Sequence, residues 1–115
     1  MSAWKLTVRH GSDVDREGFE ELDEAVAALR RRAVQVRSEG PLDGVSVLRD
    51  FGPSEQVHAR LELSGKGILR PPTAGIDVRG DGSMIAFSGS VRRREIEPRD
   101  DETPFDAVRG ALDGR

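Results

Sequence analysis

The sequence contains no cysteine, no tyrosine and no asparagine, and it has only two histidines and two lysines. Without cysteine there is no disulfide staple, no thiolate metal site and no cysteine nucleophile, and redox chemistry would have to come from a bound cofactor. Aromatic residues make up 4% of the chain, and no apolar run approaches the roughly 20 residues needed to span a bilayer. The stretch Met1-Ser2-Ala3-Trp4-Lys5-Leu6 lacks a cationic segment leading into an apolar one, so no secretory signal is expected and the chain reads as cytoplasmic. A net charge of −3 disfavours nucleic acid as a partner, because that affinity rests on clustered positive charge.

What is present fits one soluble domain. The 115 residues are 36% hydrophobic and 34% charged, and a domain of this size buries about 65% of its unfolded surface. Arginine supplies 16 of the 18 cationic side chains. Codon bias in a GC-rich genome accounts for such a skew; the functional alternative is a surface selected for the bidentate contacts of guanidinium.

Phe19, Leu22, Val26, Leu29, Ala33 and Val36 recur at a 3-4-3-4-3 spacing, which predicts an amphipathic helix over about 19–38. Carboxylates crowd its start and arginines its end, as the helix dipole favours, and Gly40-Pro41 stops it. Around it lie alternating segments. Trp4, Leu6 and Val8 mark a strand over 3–9; Val45, Val47 and Phe51, then Val57, Ala59, Leu61 and Leu63, mark two strands joined by a hairpin. Ile76 and Val78 are expected to face the same way as Ile85 and Phe87 across a tight turn at Gly80-Asp81-Gly82-Ser83, with the last strand continuing through Val91 to Ile96. A polar connector over 98–103 leads into a short helix over 104–113, started by a Thr103-Pro104-Phe105-Asp106 capping box.

The expected architecture is therefore α+β: an antiparallel sheet of about five strands in the order β-α-β-β-β-β-α, with the long helix on one face. This order resembles the cystatin-like architecture. Cystatin-type protease inhibitors carry a Gln-x-Val-x-Gly hairpin, whereas the equivalent stretch here reads Gly52-Pro53-Ser54-Glu55-Gln56-Val57-His58, so protease inhibition does not carry over. The segments Gly75-Ile76-Asp77-Val78-Arg79-Gly80-Asp81-Gly82-Ser83 and Thr103-Pro104-Phe105-Asp106-Ala107 resemble those of small bacterial proteins with no assigned function.

No catalytic constellation stands out. His10 and His58 read as solvated turn and strand residues rather than acid–base groups. Asp100-Asp101-Glu102 lacks the ligand spacing of a calcium loop, and Gly65-Lys66-Gly67 is followed by Pro71-Pro72 where a phosphate loop needs a helix, so neither a metal nor a cofactor is expected. The one surface singled out is the sheet face opposite the long helix, expected to carry His58, Arg60, Glu62, Arg79, Arg92 and Arg94 together with Leu48, Met84 and Ala86. The apolar side of the short helix, Phe105, Val108 and Leu112, either adds to that surface or covers it. The resulting expectation is a non-enzymatic interaction module that forms a homodimer or holds another protein. The alternatives are a small-ligand protein or enzyme with a pocket between helix and sheet, and an anion or nucleic-acid contact through the arginines. A dry, wholly apolar interior separates the first reading from the second.

Overall fold

Alternation of apolar and polar residues puts Leu6 and Val8 on one side of the first strand and Lys5, Thr7 and Arg9 on the other, and that division propagates through the whole sheet. The computed structural model describes residues 3–39, 57–65, 72–89 and 93–113, without the side chains of Val57 and His58. The expected strand at Val45–Phe51 lies outside the described residues. Six strands form one antiparallel sheet: β1 (Trp4–His10), β2 (Asp13–Phe19), β3 (Val57–Gly65), β4 (Thr73–Arg79), β5 (Met84–Ser88) and β6 (Arg94–Ile96). Their order across the sheet is β2-β1-β3-β4-β5-β6. Two helices complete the fold, α1 (Leu22–Glu39) between β2 and β3, and α2 (Pro104–Leu112) after β6. The class is α+β, as the sequence implies.

Strand β2 was not expected. His10 pairs with Asp13 across the two-residue loop Gly11-Ser12, and Gly11 adopts φ 63°, the conformation such a hairpin needs at its first central position. The strand occupies part of the acidic stretch that reads as a helix lead-in, so α1 begins at Leu22 rather than at position 19, and Phe19 closes β2 while still packing on the core.

Both helices lie on the same side of the sheet. From α1, Ala25, Ala28, Leu29, Ala33 and Val36 are buried against Leu6 and Val8 of β1, Ala59, Leu61 and Leu63 of β3, and Ala74, Ile76 and Val78 of β4. Completely burying a leucine such as Leu29 is worth about 2–3 kcal/mol. From α2, Ala107, Val108 and Leu112 enter the same cluster. The capping box forms as its sequence implies: the Asp106 amide donates to Thr103 Oγ1 at 3.2 Å and the Thr103 amide donates to Asp106 Oδ2 at 3.0 Å. Arg109 of α2 forms an ion pair with Asp23 of α1, tying the helices together.

The hairpin between β4 and β5 reverses an expectation. Its loop holds three residues, 80–82, with Gly82 at φ 89°, and the Arg79 amide donates to the Ser83 carbonyl at 2.9 Å. An odd loop pairs even-numbered residues with even ones, so Val78 faces Met84 and Ile76 faces Ala86. Met84 and Ala86 therefore sit on the helix side, and Ile85 and Phe87 point to the opposite face, contrary to the phase expected from sequence.

Phe87 is nonetheless only 2% exposed. It is paired with Gly75 on β4, and a Cβ at Gly75 would lie 2.8 Å from the ring's Cζ and collide with the Leu61 carbonyl oxygen. The guanidinium carbons of Arg60 and Arg93 each stand 5.6 Å from the ring centroid. Gly75 thus supplies the hollow in which the ring rests, and two cation–π contacts close over it.

Gly75→Ala is expected to destabilise the protein by about 2–3 kcal/mol, the usual cost of forcing an atom into a filled space, as measured by urea unfolding. The β4–β5 turn gives a pH-dependent outcome. Asp81 Oδ1 accepts from the Ser83 hydroxyl at 2.6 Å and from the Ser83 amide at 2.9 Å, and these bonds hold the carboxylate below its ordinary value of 3.8. A depressed folded-state value means the stabilisation is complete above the ordinary value and fades as pH falls through the depressed one. Asp81→Ala should therefore lower the melting temperature near neutral pH, with the difference from the parent protein shrinking on acidification below about pH 4.

Candidate interaction face

On the side away from both helices, no described element covers the sheet. Strand register fixes who lies there. One row runs Arg16, Thr7, Glu62, Gly75, Phe87 and Glu95 from β2 to β6, and the neighbouring row runs Val14, Arg9, Arg60, Asp77 and Ile85. Lys5 and Arg79 belong to the same side by alternation. Among the described residues, this face carries six cations (Lys5, Arg9, Arg16, Arg60, Arg79 and Arg93) and three carboxylates, Glu62, Asp77 and Glu95. Its net charge of about +3 is opposite in sign to that of the whole chain, −3.

The three carboxylates are all engaged. Arg60 holds Asp77 through two bonds, Nε to Oδ1 at 2.6 Å and Nη2 to Oδ2 at 3.0 Å. That hydrogen bonding raises the Arg60 pKa above its ordinary value, outweighing the opposing effect of partial burial. Arg93 Nη2 lies 3.2 Å from Glu62 and Arg79 Nη2 lies 3.1 Å from Glu95. These pairs belong to the β3–β6 half of the face. The β2–β1 half has no such compensation: Lys5, Arg9 and Arg16 form no ion pair among the described residues, and Arg9 stands directly opposite Arg60 in the β1–β3 pairing. Arg60 is already matched by Asp77, so the charge left uncompensated at this corner among the described residues is that of Lys5, Arg9 and Arg16.

The expected site residues divide in consequence. Arg60 and Arg79 lie on the bare face. Arg94 does not: it pairs with Ser88 in a row on the helix side, and it is Arg93 that crosses over Phe87. Arg92 and Leu48 lie outside the described residues, as does the side chain of His58. Val108 and Leu112 are consumed in the core, 0% and 7% exposed, and Phe105 packs half-buried against it with Arg30 at 6.0 Å from its ring. Thus α2 neither extends the bare face nor covers it. Lys5, Arg9, Arg16 and Arg93 lie on this face beyond the expected residues, and the period-2 alternation of Lys5, Thr7 and Arg9 is the sequence signal for two of them.

The helix side holds one departure from a dry interior. His10 continues the inward series Leu6, Val8 and is 7% exposed, rather than standing in a solvated turn. It lines a recess of about 200 Å³ at the hairpin end of β1 and β2, walled by Asp13, Asp15, Arg32, Gln35 and Glu39 over Val8 and Val36. His10 Nδ1 is 3.6 Å from Glu39 Oε1, and Arg32 Nη2 is 2.9 Å from Asp15 Oδ2. A second, more open groove of about 330 Å³ runs between α2 and β5–β6, past Ser88, Ile96, Glu102 and Gly110. Among the described residues, no group of three or more His, Asp or Glu is placed to hold a metal ion, and no helix is long and apolar enough to cross a membrane. No protein-family model, curated protein or solved structure matches this chain.

Proposed function

We propose that this protein is a small non-enzymatic interaction module whose bare sheet face receives an acidic surface of a protein partner. The observation that carries this reading is the separation of charge: both helices occupy one side, and the other collects six cations against three carboxylates, with Lys5, Arg9 and Arg16 lacking counter-charges among the described residues. Carboxylates brought to that corner would counter the charges of Lys5, Arg9 and Arg16 and gain charge-assisted hydrogen bonds. Single-stranded nucleic acid is a poorer fit, because it needs aromatic platforms for its bases. Among the described aromatics, Phe87 is clamped beneath two arginines, Trp4 and Phe19 pair on the helix side, and Phe105 belongs to α2.

The test uses a fluorescent polyglutamate peptide as probe and follows its anisotropy. Binding should weaken steeply with added salt, and Arg9→Glu combined with Arg16→Glu should reduce affinity by at least about tenfold, since both side chains are exposed and their loss leaves the core intact. Unchanged affinity in that variant would remove the bare face as the binding surface.

A second reading rests on the recess at His10, where polar groups converge between helix and sheet as a small-ligand site requires. Three carboxylates there, Asp13, Asp15 and Glu39, outweigh Arg32 in charge, which favours an ammonium-bearing molecule. Titration with spermidine should then shift the His10 ring proton signals in NMR, and the shift should be lost in Glu39→Gln; ring signals that do not move would end this reading.

A further inference from the structure

The acidic surface that the bare face calls for is present on the chain itself. Between Asp13 and Glu24 there are seven carboxylates and one cation, Arg16. All eight are exposed. Arg16 shares a row with Thr7 on the bare face, whereas Asp13, Asp15 and Glu17 pair with His10, Val8 and Leu6 on the helix side. The remaining carboxylates run through the β2–α1 junction into the first turn of α1. Asp15 is engaged by Arg32, Asp23 by Arg109, and Glu20 also has a partner. Asp13, Glu17, Glu21 and Glu24 against the single cation Arg16 still leave the segment negative. Positive charge thus faces one way from the sheet, and negative charge lies along its β2 edge and the opposite side.

Resting on the reading of the bare face given above, we propose that its occupant is a second copy of this chain, which presents its acidic β2–α1 surface to Lys5, Arg9 and Arg16. A two-fold dimer that set bare face against bare face would oppose two surfaces of about +3, and a two-fold pairing of β2 edges centred on Arg16 would place Asp15 beside Glu17 and Arg16 against Arg16. The favourable contact sets the acidic surface of one copy on the basic face of another. Made in one direction it closes into a ring or continues as a filament, and made reciprocally it closes a two-fold pair.

Sedimentation velocity on the full chain tests this across a concentration series, at about 20 mM and about 500 mM salt, where the screening length falls from roughly 20 Å to a few Å. At low salt the weight-average sedimentation coefficient should rise with concentration. At high salt it should stay at the monomer value. A variant with the face reversed, Lys5→Glu and Arg9→Glu, should be monomeric alone, and so should one with the acidic surface reversed, Glu17→Lys and Glu21→Lys. Mixed in equal amounts the two should associate again, because the unaltered acidic surface of the first meets the unaltered basic face of the second, and the two reversed patches are complementary as well. Circular dichroism melts of each variant alone establish that both fold. A parent protein that remains monomeric at low salt, or a mixture that fails to associate, overturns the proposal. If the parent is monomeric yet binds polyglutamate through Arg9, the second copy is excluded and the acidic-partner reading stands.

Discussion

The fold depends on a single sided choice: both amphipathic helices spend their apolar stripes on the same face of the sheet. The strands leave little alternative. Leu6, Val8, Leu61, Leu63, Ile76 and Val78 all point one way and are at most 3% exposed, so that side must be covered by α1 and, over β4 and β5, by α2. With both described helices on that side, the second face buries little among the described residues beyond Phe87 and Thr7. It can hold charge, and it does. Antiparallel sheets commonly tolerate one wet face, and here that face differs in sign from the molecule as a whole.

Phe87 is the exception that keeps the bare face ordered. An aromatic ring on a charged surface would ordinarily stand half in water, but this one lies in the hollow above Gly75 between two guanidinium groups. The same two arginines reach carboxylates on β4 and β3, Arg60 to Asp77 and Arg93 to Glu62. One ring therefore organises two ion pairs, which gives β3 through β6 a fixed pattern of charge. Among the described residues, the β2–β1 corner has no equivalent anchor, and Lys5, Arg9 and Arg16 form no ion pair there.

Legibility in the sequence followed the strength of the local pattern. The α1 stripe and the alternation in β1 and β3 were readable because each has a clear apolar side, and the Thr103–Asp106 box was readable because capping is a local hydrogen-bond pattern. Strand β2 was not readable, since Asp13-Val14-Asp15-Arg16-Glu17-Gly18-Phe19 buries almost nothing and so shows no alternation of apolar and polar residues. Its one local signal was the Gly11-Ser12 pair between two extendable segments. The phase of β5 turns on whether the loop holds an even or an odd number of residues, a difference of one residue that exchanges the faces of Phe87 and Ala86 and puts Arg93 rather than Arg94 on the bare one. His10 extends the inward series Leu6, Val8 by one more step, into a position whose polar side chain gives no apolar signal. That Val108 and Leu112 must dock somewhere was evident from the short helix; that they dock beside α1 depends on tertiary packing, which local spacing does not encode.

The composition of β2 also decides how this sheet meets other chains in its unprotected direction. Among the described strands, β2 and β6 are the two edges; β6 is three residues long, whereas β2 offers seven residues of backbone that another strand might extend. Side chains Asp13, Asp15, Arg16 and Glu17 make such lateral growth costly, because an incoming strand must seat itself against a dense line of charge. Sheet-to-sheet fusion, the usual route from an open β-edge toward cross-β aggregation, is thereby suppressed at the longer of the two margins.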